Sequence, residues 1–290
     1  MAATLSQWIA AARPRTLPMA VAPVVVGSAA AHVLGGFHLG RALLALVVSL
    51  ALQVGVNYAN DYSDGIRGTD DDRVGPFRLT ASRLVPAKAV KHAAFACFGV
   101  AAVAGLALIA LSGAWWAVLV GVAAILAAWY YTGGTKPYGY LGLGEVFVFV
   151  FFGLVAVLGT TYTQAGTVDA LAWAGAVSCG LISTALLMAN NIRDIPTDRQ
   201  VGKMTLAARI GDGPARASFV AMLAVAVVLP LLFTGAHPWL WLVLLAGVVA
   251  VPACRTVLRA TERAQLIPVL KATGIVGVVY AVTFALGVVL

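Results

Sequence analysis

The run ALAWAGAVSCGLISTALLMANNI, residues 170–192, contains no charged side chain in 23 positions, and RDIPTDRQ follows it at once with four charges in residues 193–200. A helix exposed to water shows one apolar stripe, whereas a helix apolar all round is buried in a large core or in lipid. About 20 apolar residues cross a hydrocarbon layer about 30 Å thick. Residues 170–192 therefore read as a membrane span that ends in a polar patch at one surface.

Six more runs without Asp, Glu, Lys or Arg surround it: 16–40, 42–60, 92–135, 146–168, 217–254 and 272–290. Two are long enough for two crossings, and they break naturally at Ser112-Gly113 and at 234–238. Nine helices are expected, at about 17–35, 42–60, 92–111, 114–131, 146–164, 170–191, 217–233, 239–254 and 272–290. The whole chain, 1–290, reads as one all-α polytopic membrane domain. Composition agrees, with 61% hydrophobic and 10% charged residues and a mean hydropathy of +0.95. About 25% charged residues is usual for a soluble domain, so disorder, coiled coil and an ordinary soluble enzyme are excluded. Arg13 and Arg15 precede the first run in the outline of a signal peptide. With eight spans to follow it reads as a first helix, and no cleavage is expected. Cys97, Cys179 and Cys254 are too dispersed for a disulfide framework or a metal site.

With nine spans, 18 of the 19 basic residues fall on the N-terminal side and Arg41 alone on the other. The positive-inside rule then places the N-terminus in the cytoplasm of a plasma-membrane protein and the C-terminus opposite. The net charge of +8 reads as this topology signal and as affinity for anionic lipid head groups, not as a nucleic-acid footprint. On the far side Arg41, His32, His38, His237 and Asp169 form no constellation. Arg255, Arg259 and Arg263 recur at four-residue spacing and read as head-group contacts.

Ten of the 11 acids share the basic face, with Asp169 the exception. Acids hardly influence topology, so this clustering needs another cause. After the second run comes Asn57-Tyr-Ala-Asn60-Asp61-Tyr-Ser-Asp64, and after the sixth Asn190-Asn191-Ile-Arg193-Asp194-Ile-Pro-Thr-Asp198. In both, Asn precedes Asp by four residues (Asn57/Asp61, Asn190/Asp194), which is one face of a helix, and a second Asp extends that face. The doubled pattern resembles a weak internal repeat. Clustered carboxylates either raise one another's pKa or enclose a cation. Oxygen-only sets suit Mg²⁺, which typically takes one or two carboxylates and completes its shell with water and substrate phosphate. Arg67, Arg73, Arg78, Lys136 and Lys203 stand nearby to bind the remaining phosphate oxygens. Asp71, Asp72 and Asp212 read as ordinary salt-bridged loop residues.

These motifs resemble those of the UbiA superfamily, the intramembrane aromatic prenyltransferases. Further strings resemble its menaquinone branch, which prenylates 1,4-dihydroxy-2-naphthoate: ARPRTLP at 12–18, GPFRL at 75–79 with Ala81-Ser82, YTGGTKPYGYLGLGE at 131–145 and GKMTLA at 202–207. The likeness runs through essentially the whole chain in order. It implies nine helices around a central cavity, capped on the cytoplasmic side by helical loops, and Mg²⁺-dependent catalysis with two ions. The superfamily's first motif is Asn-Asp-x2-Asp-x3-Asp. Asn60, Asp61 and Asp64 match it, but Gly68 takes the last place and Asp70 stands two residues on. The second motif, Asp-x3-Asp, is met by Asp194 and Asp198.

The resemblance thus implies Asp61, Asp64, Asp70, Asp194 and Asp198 as metal ligands. Asn57, Asn60, Arg78, Tyr131, Asn190, Asn191, Arg193 and Lys203 join them around the diphosphate of a polyprenyl donor, and Lys136 assists its departure. An allylic cation forms, an event that favours apolar walls excluding water. Trp129, Tyr130, Phe147, Phe149, Phe151 and Phe152 are candidates for those walls. The naphthoate, itself an anion suited to a basic face, is prenylated and decarboxylated to give demethylmenaquinone. Glu145 either orients or deprotonates this acceptor or pairs with Lys136. A lateral opening to lipid is expected for the isoprenoid tail.

Another aromatic acceptor in the same superfamily is the near alternative, since the aspartates are shared. A secondary transporter is the alternative from another class, but transporters place ionisable groups near the membrane midplane, and here they cluster at helix ends. A CDP-alcohol phosphotransferase is the remaining rival, and its Asp-Gly-x2-Ala-Arg string is missing.

Overall fold

A computed structural model describes residues 3–68 and 77–290, and their regular structure is entirely helical. Asp70, Asp71, Asp72 and Arg73 lie outside the described residues. The chain begins with α1 (Leu5–Ala11), whose N-terminus is closed by a Thr4/Gln7 capping box. A short turn at Pro14–Thr16 joins it at a 50° bend to α2 (Pro18–Val33). There follow α3 (Leu39–Arg67), α4 (Ala87–Ser112), α5 (Ala117–Tyr130), α6 (Gly144–Ala165), α7 (Ala170–Gln200), the short α8 (Leu206–Ile210), α9 (Asp212–Phe233), α10 (Pro238–Arg259) and α11 (Arg263–Val289).

Each of the nine expected runs is helical, but the ends differ. Seven helices, α3, α4, α6, α7, α9, α10 and α11, are long and apolar enough to cross a membrane, and the bent pair α1–α2 makes an eighth candidate. The remaining run forms α5, of 14 residues, or about 21 Å at 1.5 Å per residue, short of a 30 Å layer. Among the described residues seven helices, or eight with the bent pair, have the length and apolarity of a span, in a multi-pass membrane protein, and α5 is a shorter apolar helix.

Helix α7 is the central post, with 78% of its apolar stretch buried against 17% for α3. That is why its sequence shows no polar stripe. Around it α2, α6, α9, α10 and α11 share one continuous core that includes Val26, Ile182, Phe219, Leu240 and Phe284. A second, smaller core joins α3 and α4 to α1 through Ala11, Tyr58, Leu79 and Phe98. Glycine permits a close approach between α6 and α7. A Cβ on Gly153 would lie 2.5 Å from Gly180 Cα and 2.6 Å from the Ala176 carbonyl oxygen. Gly153 falls within a π-helical segment, Phe149–Val155, whose wider turn re-aims the side chains that follow.

The end of the bundle opposite the aspartates is tied by Arg41, whose guanidinium donates to the carbonyls of Leu111 (2.6 Å), Thr163 (3.1 Å) and Gln164 (3.4 Å). These carbonyls belong to the C-terminal turns of α4 and α6, which lack intrahelical partners and carry partial negative charge. Arg41, the basic residue expected alone on that side, is thus a clamp between helix ends. Of the three arginines expected at lipid head groups, Arg255 and Arg259 are exposed, but Arg263 turns inward to Asp212. Asp212 also pairs with Arg216 at 2.7 Å.

Candidate active site

Helices α3 and α7 have 29 and 31 residues, so they extend about 43 and 46 Å and outrun a 30 Å hydrocarbon layer. The surplus turns carry Asp61 and Asp64 on α3 and Asp194 and Asp198 on α7. All four are buried. Helix α3 stops at Gly68, whose φ of 72° is left-handed and suits glycine at a helix end.

Tyr140, in the α5–α6 loop, joins the two motifs. Its hydroxyl donates to Asp64 Oδ1 at 3.0 Å, and its carbonyl accepts the Met204 N–H at 3.1 Å. The Arg67 guanidinium and the Lys203 ammonium each lie 5.4 Å from its ring centroid, within cation–π range. Lys203 Nζ is also 3.5 Å from Asp198 Oδ1, and Arg78 Nη2 is 3.5 Å from Asp64 Oδ2. One continuous chain of contacts therefore runs from Asp64 through Tyr140 and Lys203 to Asp198. The loop that presents Tyr140 is closed by the Gly139 N–H to the Tyr131 carbonyl at 3.0 Å and tied to α3 by Thr132 Oγ1 to Asn60 Oδ1 at 2.8 Å. Arg67 completes it by donating to the carbonyls of Thr132 and Gly134.

Beneath this chain lies a cavity of about 970 Å³. Asn57, Asn60, Asp64, Arg78, Asn190 and Lys203 form its polar end, with Tyr131, Asn191 and Arg193. Apolar residues of α3, α5 and α6 line the rest. Of the aromatic candidates, Phe147, Phe151 and Phe152 line the cavity, with Phe147 stacked on Tyr138 at 4.0 Å. Trp129 packs outside it on Tyr62 and Phe95, and Tyr130 is exposed.

Asp61, Glu145, Asp194 and Asp198 are buried but do not line the cavity. Asp61 accepts the backbone N–H groups of Leu79 (2.7 Å) and Thr80 (2.9 Å), one on each oxygen, and so holds the segment that carries Arg78. Asp194 is gripped on both oxygens by Arg193, at 2.6 and 2.8 Å, and Arg193 also donates to Asn190 Oδ1 at 2.7 Å. Glu145 Oε1 accepts from Asn191 Nδ2 at 2.9 Å, while its Oε2 is buried without a hydrogen-bond partner among the described residues. Lys136 is exposed and does not line the cavity, and the hydrogen-bond partner of Glu145 is Asn191. Tyr131 has its hydroxyl pKa pushed up, chiefly by burial and then by the charges of Glu145, Asp64 and Asp198. It remains a protonated hydrogen-bond donor. Burial raises Tyr138 as well, whose hydroxyl donates to the Ala127 carbonyl at 2.8 Å.

Among the described residues no three Asp, Glu, His or Cys side chains already converge as a metal cluster. Mg²⁺ often takes only one or two carboxylates and leaves the other positions to phosphate and water. Asp64, at the cavity, and Asp198, behind it and linked to it through Tyr140 and Lys203, are hard oxygen donors of the kind that could hold such an ion. The donor set fits Mg²⁺.

Residues 20–268 match the UbiA prenyltransferase family. The chain belongs to that family. It is 52% identical to the 1,4-dihydroxy-2-naphthoate octaprenyltransferase of Mycobacterium tuberculosis, over 98% of this chain and 97% of that one. With the enzyme of the same name from Escherichia coli it shares 38% identity over 97% of this chain and 94% of that one. The fold is that of a UbiA homologue from Aeropyrum pernix, at a TM-score of 0.71 and 17% identity, covering 96% and 98% of the two chains. It is also that of an Archaeoglobus fulgidus UbiA homologue bound to DMAPP and Mg²⁺, at a TM-score of 0.64 and 14% identity, covering 98% and 99%.

Within this UbiA member, Arg13 and Arg15 also face the cavity, although sequence reasoning counted them only as topology charges. Arg13 adopts a left-handed φ of 54°, uncommon outside glycine, in the turn between α1 and α2. That ARPRTLP string was the signal available. Tyr140, too, lay inside a quoted string without a role. Its place between Asp64 and Lys203 depends on a loop meeting two remote helix ends.

Proposed function

We propose that the protein transfers a polyprenyl group from polyprenyl diphosphate to 1,4-dihydroxy-2-naphthoate with loss of the carboxylate, the step that commits the ring to menaquinone. The observation that carries this reading is the contact chain from Asp64 through Tyr140 and Lys203 to Asp198 at the polar end of an apolar cavity. The names of relatives at 52% and 38% identity over nearly the full length support the acceptor.

Arg78, Lys203 and the Tyr131 hydroxyl hold the diphosphate by charge and hydrogen bonding, and Asp64, Asp198 and Asn190 provide the oxygen donors for Mg²⁺, with Asp61 and Asp194 as further ligand candidates. Bound Mg²⁺ supplies Lewis-acid neutralisation of the departing diphosphate. As the allylic C–O bond breaks, the electron pair leaves with the diphosphate, and prearranged cations beside it lower the barrier. Phe147, Phe151 and Phe152 exclude water and offer ring faces to the allylic cation. A ring carbon of the naphthoate forms the new C–C bond, and the carboxylate departs as CO2. Demethylmenaquinone is released as its quinol, since no oxidant takes part. Arg13 and Arg15 are placed to receive the anionic acceptor.

This reading extends to the whole chain as one membrane domain, with α5 completing nine crossings, two Mg²⁺ ions, and a cytoplasmic site with the C-terminus opposite. Supporting the orientation is the basic crowding around the site. Purified protein given polyprenyl diphosphate, Mg²⁺ and the naphthoate should form prenylated, decarboxylated product. The same mixture with 4-hydroxybenzoate should form little. A preference for the benzoate, or turnover undiminished in Asp64→Ala and Asp198→Ala, would overturn the proposal.

A further inference from the structure

Pro23 lies inside α2, Pro196 inside α7 and Pro252 inside α10. Proline has no N–H to offer the carbonyl four residues back, and its ring crowds that carbonyl. In α7 the affected carbonyl is that of Ile192. It accepts instead from Arg263 Nη1, 71 residues away, at 3.0 Å. Pro196 stands between Asp194 and Asp198, and Ile192 follows Asn190 and Asn191, so this bond acts in the middle of the second motif.

Arg263 is itself held. It donates to Asp212 Oδ1, and Asp212 Oδ2 accepts from Arg216 Nε at 2.7 Å. Arg216 Nη1 then donates to the carbonyls of Val257 and Ala260 at the end of α10. The starts of α9 and α11 and the end of α10 thus converge on one carbonyl of α7. A plain surface ion pair does not account for this arrangement. The side chains of Arg263 and Asp212 are 36% and 39% exposed, and exposed pairs contribute little. A buried carbonyl deprived of its helical partner, by contrast, has a full desolvation penalty to avoid.

We infer that Arg263 is a positioning residue for the second aspartate motif, replacing the hydrogen bond that Pro196 removes and so fixing the turn that aims Asn190, Asp194 and Asp198. The effect on catalysis rests on the function proposed above, whereas the effect on the turn does not. Both are read in lipid nanodiscs. Arg263→Ala is expected to speed amide hydrogen exchange in peptides covering 190–200 at least about tenfold. It is also expected to lower turnover about ten- to a hundredfold, with more Mg²⁺ needed for half-saturation. Arg263→Lys should recover most of both, and Arg259→Ala, an exposed neighbour, should leave both unchanged. The deciding variant is Pro196→Ala, which restores an N–H for Ile192. In that background Arg263→Ala should change exchange by less than about threefold. Unchanged exchange in Arg263→Ala overturns the inference, as does equal acceleration with and without Pro196. Altered exchange with turnover and Mg²⁺ half-saturation intact removes the positioning role. Should the wild-type protein form no prenylated product, the functional reading fails, and the exchange arm still decides whether Arg263 supports the turn.

Discussion

Asp61 offers the sharpest test of how the site is built, because each of its two oxygens accepts a backbone N–H. Asp61→Ala removes charge-assisted bonds to Leu79 and Thr80, each contributing about 1.5–3 kcal/mol, and leaves a buried N–H at Leu79. The loss of about 3–6 kcal/mol outweighs what the fully buried Leu79 side chain contributes to holding the segment, about 1.5–3 kcal/mol. Segment 77–82 should then open and withdraw Arg78 from Asp64. Trypsin reads this directly, since Arg78 is buried and Arg83 exposed. In the wild type, cleavage after Arg83 should dominate. In Asp61→Ala, cleavage after Arg78 should rise about a hundredfold or more relative to Arg83, because the open population gains tenfold per 1.4 kcal/mol and proteolysis follows that population. Asp61→Asn, keeping one acceptor oxygen, should fall between. The reasoning is refuted if Asp61→Ala loses prenyl transfer while the Arg78/Arg83 cleavage ratio stays at its wild-type value. Asp61 would then act on the substrate side alone.

Gly153→Ala should destabilise the bundle by about 1–3 kcal/mol, measured by denaturant unfolding in micelles, because the new methyl meets backbone of α7 that cannot rotate away. Lys203→Ala should lower turnover about a hundredfold while Lys136→Ala leaves it near wild type, and equal losses would return Lys136 to the diphosphate. Arg41→Ala, which orphans carbonyls of two helix ends, should cost about 1.5–3 kcal/mol of stability in a thermal melt. Turnover per folded molecule should not change.

Much of the architecture was legible in residue order alone. Charge-free runs report hydrophobic spans because the bilayer tests each segment against the same solvent, whatever the rest of the chain does. For that reason runs such as 42–60 and 170–192 located helices, and the Asn/Asp repeats marked two helix ends that border the cavity. Length was less legible. The stretch 114–131 has the composition of a span, yet α5 is only 14 residues long, because the turn at 114–116 and the cap at Tyr131 consume the remainder.

Tertiary structure alone decided how the polar groups divide their work. Sequence spacing sets Asp61 and Asp64 three residues apart on one helix, but whether a carboxylate faces a cavity or caps a loop depends on what packs against it. Leu79 and Thr80 come back to Asp61, and Tyr140 reaches Asp64, from 18 and 76 residues away. Lys136 and Lys203 are indistinguishable as charges near a motif, and only the fold leaves Lys136 exposed in the α5–α6 loop and turns Lys203, just after α7, back to Asp198. The partner of the Ile192 carbonyl was beyond sequence reasoning too, because the need arises locally from Pro196 whereas the donor arrives with α11. Hydropathy and helical period are properties of neighbours in the chain, and hydrogen-bond satisfaction is a property of neighbours in space.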